Sequence, residues 1–294
     1  MGEFAAYTVL GLSLGGVFAL AALGIVLIYR VTGVLNFAHG AMGMFSTFVA
    51  WGAVYRWHQP VWLAVLLALG FAAALGLFLQ FAVFRPLAGR PAVVKAVVTI
   101  GILLVLQSLA SLFWGNTQYH EPIRVVSGRS MLIARVPVGP DQVLIVAAAL
   151  VLATGIAAFL TYTRFGIAMR AVSDDPMAAG LWGVPVWLVG AVSWALGSVL
   201  AAIAGILITP FINLDTVSLT LLILDALAAA LIGGLASLPL TVAGGFLLGL
   251  AESYPSIWFK NSLGFPKLVA IAVILAVLLV RAPKGLLQAG RAST

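Results

Sequence analysis

Long stretches without charge recur along this chain and leave it few ways to fold. Residues 4–29, 57–84, 96–114, 142–162, 186–209 and 268–280 contain no Asp, Glu, Lys or Arg. Residues 31–55 are interrupted only by His39, residues 219–236 carry Asp225, and residues 240–254 carry Glu252. A helix needs about 20 apolar residues to cross the hydrocarbon, so these runs read as nine candidate spans. The short run 268–280 is flanked by Lys267 and Arg281, whose side chains can snorkel to the interfaces. Only 8% of the 294 residues are charged, against roughly 25% in a soluble domain. The expected fold is an all-α polytopic membrane protein, one domain over residues 1–294, with eight or nine transmembrane segments. Eight applies if a pair of runs around Asn36 or Ser237 is a single broken or re-entrant span.

Several functions are excluded early. There is no cysteine, hence no disulfide or thiolate metal site. Residues 1–4 lack a basic region, so residues 4–29 read as a retained helix, and Ala6 spoils a myristoylation motif. The net charge of +7 comes from scattered single residues, which suits basic membrane loops better than nucleic acid. No carboxylates pair on a helical face deep in a span, and the three histidines lack metal-ligand spacing. No GxxxxGK[ST] occurs, so an ATP-driven process would need its ATPase on another chain.

Two breaks interrupt the apolar pattern. In Asn36-Phe37-Ala38-His39-Gly40, polar groups fall at or near membrane depth, where irregular backbone is tolerated only if buried in protein or lining water. Asn36 can cap a restarted helix. His39 reads either as a hydrogen bond at a helix joint or as a solute contact. The second break is Gly233-Gly234-Leu235-Ala236-Ser237-Leu238-Pro239. Interrupted segments in matching halves point to a transport pathway, which makes Asn36, His39, Gly233, Gly234 and Ser237 pathway candidates. Asp225 joins them as an acid inside a span, either a cavity-lining charge or a residue near a helix end. Gly11 with Gly15, and Gly245 with Gly249, form GxxxG pairs of the kind that let helix backbones meet.

With the C-terminus cytoplasmic, the basic residues favour the inside. Arg30, Arg85, Arg90, Lys95, Arg164, Arg170, Arg281, Lys284 and Arg291 lie there, against Arg56, Arg124, Arg129, Arg135, Lys260 and Lys267 outside. Residues 115–141 are then an extracytoplasmic loop, with a short hairpin turned by residues 124–129. Residues 162–185 are cytoplasmic. In that loop Asp175 is placed as an N-cap, Pro176 as the first helical residue and Gly183 just past the end. The resulting helix of about two turns has Asp174 and Asp175 at its positive end and Met177 and Leu181 on one face. It is too short to stand alone. It reads as an ordinary connector or as a knob for a separate soluble subunit.

The residues also carry a family resemblance. Gly15-Gly16-Val17-Phe18-Ala19-Leu20-Ala21-Ala22-Leu23-Gly24 with Val34-Leu35-Asn36-Phe37-Ala38-His39-Gly40 resembles the first signature of the branched-chain amino-acid ABC permeases, H-type subunit. Arg85-Pro86-Leu87, Thr99-Ile100-Gly101 and Leu106-Gln107 resemble the middle section. Arg164-Phe165-Gly166-Ile167-Ala168-Met169-Arg170-Ala171, Pro176-Met177-Ala178-Ala179 and Leu181-Trp182-Gly183-Val184 resemble the cytoplasmic coupling loop. Residues 228–239 resemble the C-terminal signature.

The resemblance implies a multi-pass importer subunit of the bacterial inner membrane. Its partners would be a homologous M-type permease, two cytoplasmic ATPases holding ATP and Mg, an extracytoplasmic solute-binding protein and membrane lipid. No cofactor is expected in this chain. By position, Asp174, Asp175, Pro176, Met177, Leu181 and Trp182 would seat on an ATPase. The sequence departs from the family at Asp225, where lysine is usual, and at Leu240, where glycine is usual. The charge reversal leaves the solute open among branched-chain amino acids, urea, amides and organic acids. Competing classes are an ion-coupled transporter or channel titrating Asp225 and an intramembrane enzyme.

Overall fold

The computed structural model describes residues 2–115, 119, 121–126, 128–133, 136–257, 268 and 271–277. Among these it is almost entirely helical. The helices are α1 (Gly2–Thr32), α2 (His39–Tyr55), α3 (Val61–Leu79), α4 (Ala92–Trp114), α5 (Pro140–Tyr162), α6 (Arg164–Asp174), α7 (Pro176–Leu181), α8 (Val186–Ile208), α9 (Thr216–Ile232) and α10 (Leu238–Ser253). A π-helical turn, Gln80–Phe84, extends α3. Residues 268 and 271–277 are also helical, and the rest of the last candidate span lies outside the described residues. Five helices are long and apolar enough to cross a membrane: Glu3–Thr32, Val61–Phe84, Ala92–Trp114, Pro140–Tyr162 and Val186–Ile208. The hairpin in the 115–141 loop is displaced from the expected position. Its strands are β1 (Met131–Ile133) and β2 (Val136–Val138), beyond residues 124–129, because Met131, Ile133, Val136 and Val138 supply the strand-forming residues.

The centre is α1 and α8, both buried over most of their length, with α2 and α9 against them and α3, α4 and α5 outside. Gly24 and Gly197 bring the two central helices together: a Cβ on Gly24 would lie 2.8 Å from Gly197 O, and one on Gly197 would lie 3.0 Å from Gly24 O. Thr32 meets Gly190, so α1 and α8 run antiparallel. The packing partners exchange between halves. Helix α1 packs on α9 and α10, while α8 packs on α2 and α3; α2 packs on α3, while α9 packs on α10. The three-helix sets α1–α3 and α8–α10 are thus related by a pseudo-twofold with inverted direction, and α4–α7 connect them.

Small residues set the contacts that the pseudo-twofold repeats. The two GxxxG pairs interlock. A Cβ on Gly15 would sit 2.7 Å from Phe246 Cα, one on Gly245 would sit 2.6 Å from Ala19 N, and Gly249 lies directly on Gly11 and Gly15. Across the axis Ala64, Ala68, Ala72 and Gly76 form the buried stripe of α3, and Gly76 meets Trp194 and Ser198 of α8.

Each half also has an extended segment before its short second helix. Residues 33–38 climb back along α1, and His39 opens α2 beside Gly24, eight residues and ~12 Å from the end of α1. The freed backbone is paired. Phe37 N–H donates to Thr99 Oγ1 at 3.1 Å, Ala38 N–H to Asn36 Oδ1 at 3.0 Å and His39 N–H to Asn36 O at 3.3 Å. In the second half the equivalent segment is 209–215. There Leu214 and Tyr119 exchange two backbone hydrogen bonds of 3.0 Å, Ile123 N–H donates to Thr209 Oγ1 at 3.2 Å, and Asp215 caps α9. The stretch at Gly233–Ser237, read from sequence as the second break, is instead a reversal between antiparallel α9 and α10. Leu235 N–H donates to Ala230 O and Gly234 N–H to Leu231 O, both at 2.9 Å, which is a Schellman end with Gly234 at φ +69°. Ser237 then caps α10.

Substitutions at three positions check these contacts by thermal unfolding in detergent. Gly245→Ala should destabilise by about 1–3 kcal/mol because its methyl meets the backbone of α1. Gly70→Ala, with open space around it, should be neutral or gain up to about 1 kcal/mol of helix propensity. Thr99→Val should cost about 1–3 kcal/mol by orphaning the Phe37 N–H, and Thr99→Ser should restore most of it.

Candidate functional site

The loop 162–185 is built as two capped helices, one more than the sequence reading anticipated. Thr163 starts α6 by accepting the Gly166 N–H at 2.9 Å. Gly166 lies against Phe159 and Leu160 of α5, so the chain reverses where a Cβ would not fit. Gly166, Met169 and Val172 form the buried face of α6. Their 3-residue spacing after a threonine cap was the available signal for this helix.

Helix α7 follows the expected local chemistry. Asp175 Oδ1 accepts from Met177 N–H at 2.8 Å and Ala178 N–H at 3.0 Å, and Pro176 is the first helical residue. At the far end Val184 N–H donates to Ala179 O and Gly183 N–H to Gly180 O, both at 3.0 Å, with Gly183 at φ +82°. This is again a Schellman end. Ala179 faces the protein, and α7 rests on α6 and the start of α8. Met177, Leu181 and Trp182 face out, at 79%, 86% and 89% exposure. Asp174 is also exposed. Three large apolar side chains projecting from a helix fixed at both ends is a pattern that calls for a partner.

This helix lies at the end of the bundle where α1 finishes and α9 turns into α10. A recess of about 490 Å³ there is lined by Arg30, Thr32, Gly33, Ser173, Asp174, Pro176, Gly234 and Ala236. Arg30 and Arg170 share a second, smaller recess, and Arg85 and Lys95 share a third with Pro176. Of the basic residues expected inside, Arg30, Arg85, Lys95, Arg164 and Arg170 are therefore gathered in or around the 162–185 loop; Arg281, Lys284 and Arg291 lie outside the described residues. Arg56, hydrogen-bonded to Phe113 O at 3.3 Å, lies at the opposite end of α4.

The remaining candidates sit within the bundle. Asn36 is 2% exposed, with its Nδ2 donating to Met42 Sδ at 3.3 Å. His39 is 1% exposed and its ring lies against Gly24. Asp225 is fully buried in the body of α9, ten residues beyond the Asp215 cap. Asn36 and His39 are brought together at the start of α2. Gly233, Gly234 and Ser237 are apart from them, in the α9–α10 reversal beside α7. The void where α1, α2, α8 and α9 meet is lined by His39, Gly40, Gly43, Ala201 and Gly205 and holds about 10 Å³, room for one water at most. Thr99 and Tyr119, which close the two extended segments, were not singled out as site residues in the sequence. Their partners are 62 and 95 residues away (Phe37 to Thr99; Tyr119 to Leu214), and no local pattern reports such a contact.

Residues 7–278 match the family model described as branched-chain amino acid transport system / permease component. The chain is 30% identical over 293 residues to the high-affinity branched-chain amino acid transport system permease protein LivH of Escherichia coli, covering 94% of this chain and 93% of that protein. It is 29% identical over 292 residues to the permease protein BraD of Pseudomonas aeruginosa, with the same coverage. The probable branched-chain amino acid transport permease LivH of Methanocaldococcus jannaschii is 29% identical over 284 residues, 91% of this chain and 87% of its own. With nearly its whole length matched, the chain belongs to the branched-chain amino acid transport system permease family.

Proposed function

We propose that this chain is a transmembrane permease subunit of an ATP-driven importer for branched-chain or related hydrophobic amino acids, and that α7 is its coupling helix. The observation that carries the reading is the exposed apolar triplet Met177, Leu181 and Trp182 on a helix capped at both ends and surrounded by the basic end of the bundle. The positive-inside rule assigns that end to the cytoplasm, where the ATPases of such systems bind ATP and Mg. Asp174 and Asp175 complete the seat. The 115–141 loop then faces the opposite side, toward a solute-binding protein.

Residues 31–55 and the segment 209–232 ending in α9 cross the bilayer as interrupted elements and α10 as a further short helix, giving more spans than the five longest helices alone. The extended backbone is tolerated because Thr99 and Tyr119 pair it inside the protein. The closed central void argues that the solute passes between this chain and a second, homologous permease. Asn36 and His39, and Gly233, Gly234 and Ser237, then belong to the joints whose rearrangement opens one side or the other, while Asp225 lies on the pathway in the body of α9. The recess lined by Asp174, Pro176, Gly33 and Gly234 sets α7 facing both the first segment and the α9–α10 reversal, so that a shift of α7 into it bears on both. Energy enters through ATP's unequal affinity for the two global states; α7 transmits it and supplies none.

Met177→Asp with Leu181→Asp should abolish solute-stimulated ATP hydrolysis and lower uptake at least tenfold in vesicles carrying the assembled transporter. Thermal stability of the permease should change by less than about 0.5 kcal/mol, because both side chains are exposed. Uptake and stimulation at the parental level would overturn the assignment of α7.

A further inference from the structure

A cavity of about 600 Å³ lies at the basic end between the end of α1, the π-helical turn after α3, the start of α4 and the start of α8. Its lining is divided chemically. Val31, Val34, Phe84, Val186 and Trp187 are apolar, whereas Arg85 and Lys95 are cationic. Among the described residues no carboxylate lies within ion-pair distance of either cation; the Arg85 guanidinium stands 5.5 Å from the Trp187 ring centroid. Gln80, more than nine-tenths buried, contributes to the wall, with its Oε1 sealed away from the open space. The rim is apolar on the outer side of α3 and α8: Phe81 and Trp187 are 40% and 47% exposed, with ring centroids 5.9 Å apart.

We propose that this cavity binds the headgroup of an anionic glycerophospholipid. Arg85 and Lys95 take the phosphodiester. The acyl chains leave past Phe81 and Trp187 along the outer face of α3. Each part of the ligand answers one part of the lining. Two cations with no carboxylate nearby select net negative charge, and the aromatic rim sits where headgroup meets hydrocarbon. A soluble acidic segment would match the cations and leave the rim without a role. The site is also placed to matter, since Thr32 at the first extended segment and Pro176 at the start of α7 both contribute to its wall. The functional reading above fixes only which leaflet supplies the lipid.

Native mass spectrometry of the purified full-length permease tests this, with phosphatidylglycerol, phosphatidic acid, phosphatidylethanolamine and inorganic phosphate as separate probes. One phosphatidylglycerol or phosphatidic acid per chain should be retained in preference to phosphatidylethanolamine and inorganic phosphate. Arg85→Ala with Lys95→Ala should weaken it roughly 30-fold, about fivefold per cation. Arg90→Ala, at an exposed position outside the cavity, should leave binding unchanged and controls for general charge. If Arg85→Ala with Lys95→Ala unfolds the chain, Lys95→Gln alone should still weaken binding about fivefold. Equal retention of phosphatidylethanolamine, undiminished binding in these variants, or displacement of the lipid by the ATPase subunits with loss of their docking in the Arg85/Lys95 variant would overturn the proposal. None of these readouts depends on transport, so the proposal can fail while the coupling role of α7 stands.

Discussion

The constraint on which this structure turns is that backbone polar groups cannot be left unpaired in hydrocarbon, where each costs several kcal/mol. A straight helix meets it without help. Two segments here do not, and the fold around them is arranged to supply what they lack. Residues 33–38 lie beside α1 and take an acceptor from Thr99 on α4. Residues 209–215 take a backbone bridge from Tyr119 at Leu214, and the Thr209 side chain in turn accepts the Ile123 N–H of the 115–141 loop. The α4 helix and the 115–141 loop are therefore structural partners of the two central helix pairs, although one reads as an ordinary span and the other as a surface loop.

This constraint also explains what the sequence disclosed and what it hid. Charge-free runs located the long helices, since hydrophobicity is a local property. The caps of α7 were equally legible: Asp175, Pro176 and Gly183 each act through atoms within four residues of themselves. The position of the second break was not. Gly233-Gly234 and Ser237 have the composition of an interruption, but a Schellman end followed by a serine cap uses the same residues as a broken helix does. Only the antiparallel packing of Gly244 on Ile232 and Ala229 tells them apart. The true counterpart of residues 33–38 contains Pro210, Asn213 and Asp215, which sequence reading took as the end of one span and the approach to the next. Helix α6 escaped notice because its buried face is short and its glycine, Gly166, resembles a loop residue until its contact with Phe159 is seen.

The small residues have a different standing from the polar ones. Gly11, Gly15, Gly245 and Gly249 could be recognised as packing motifs but not paired with one another from sequence. Their interlock joins the N-terminal half of α1 to α10, while Gly24 and Gly197 join α1 to α8. A helix held on opposite faces by backbone contact has little freedom to slide, because a displacement of one residue brings a Cβ against a carbonyl. The centre of the bundle is thus rigid by construction. Motion is left to the places where contacts are made by side chains across extended backbone, and to the connecting reversals.

The pseudo-twofold sharpens that conclusion. Inverted repeats make the two ends of the α1–α3 and α8–α10 sets alike, so the repeats by themselves give no reason for energy to enter at one end only. The asymmetry comes from the connector. Helices α5, α6 and α7 have no counterpart among the described residues, and they deposit the exposed apolar triplet, the recess with Gly33 and Gly234, and the larger cavity with Arg85 and Lys95 at a single end. In the proposed coupling role, a push on α7 is directed into the recess it shares with the end of α1, Gly33 and the α9–α10 reversal, so it bears on both halves at once. A device that bears on one element from each repeat can change their relation to each other; one that bore on a single repeat would only move the bundle as a body.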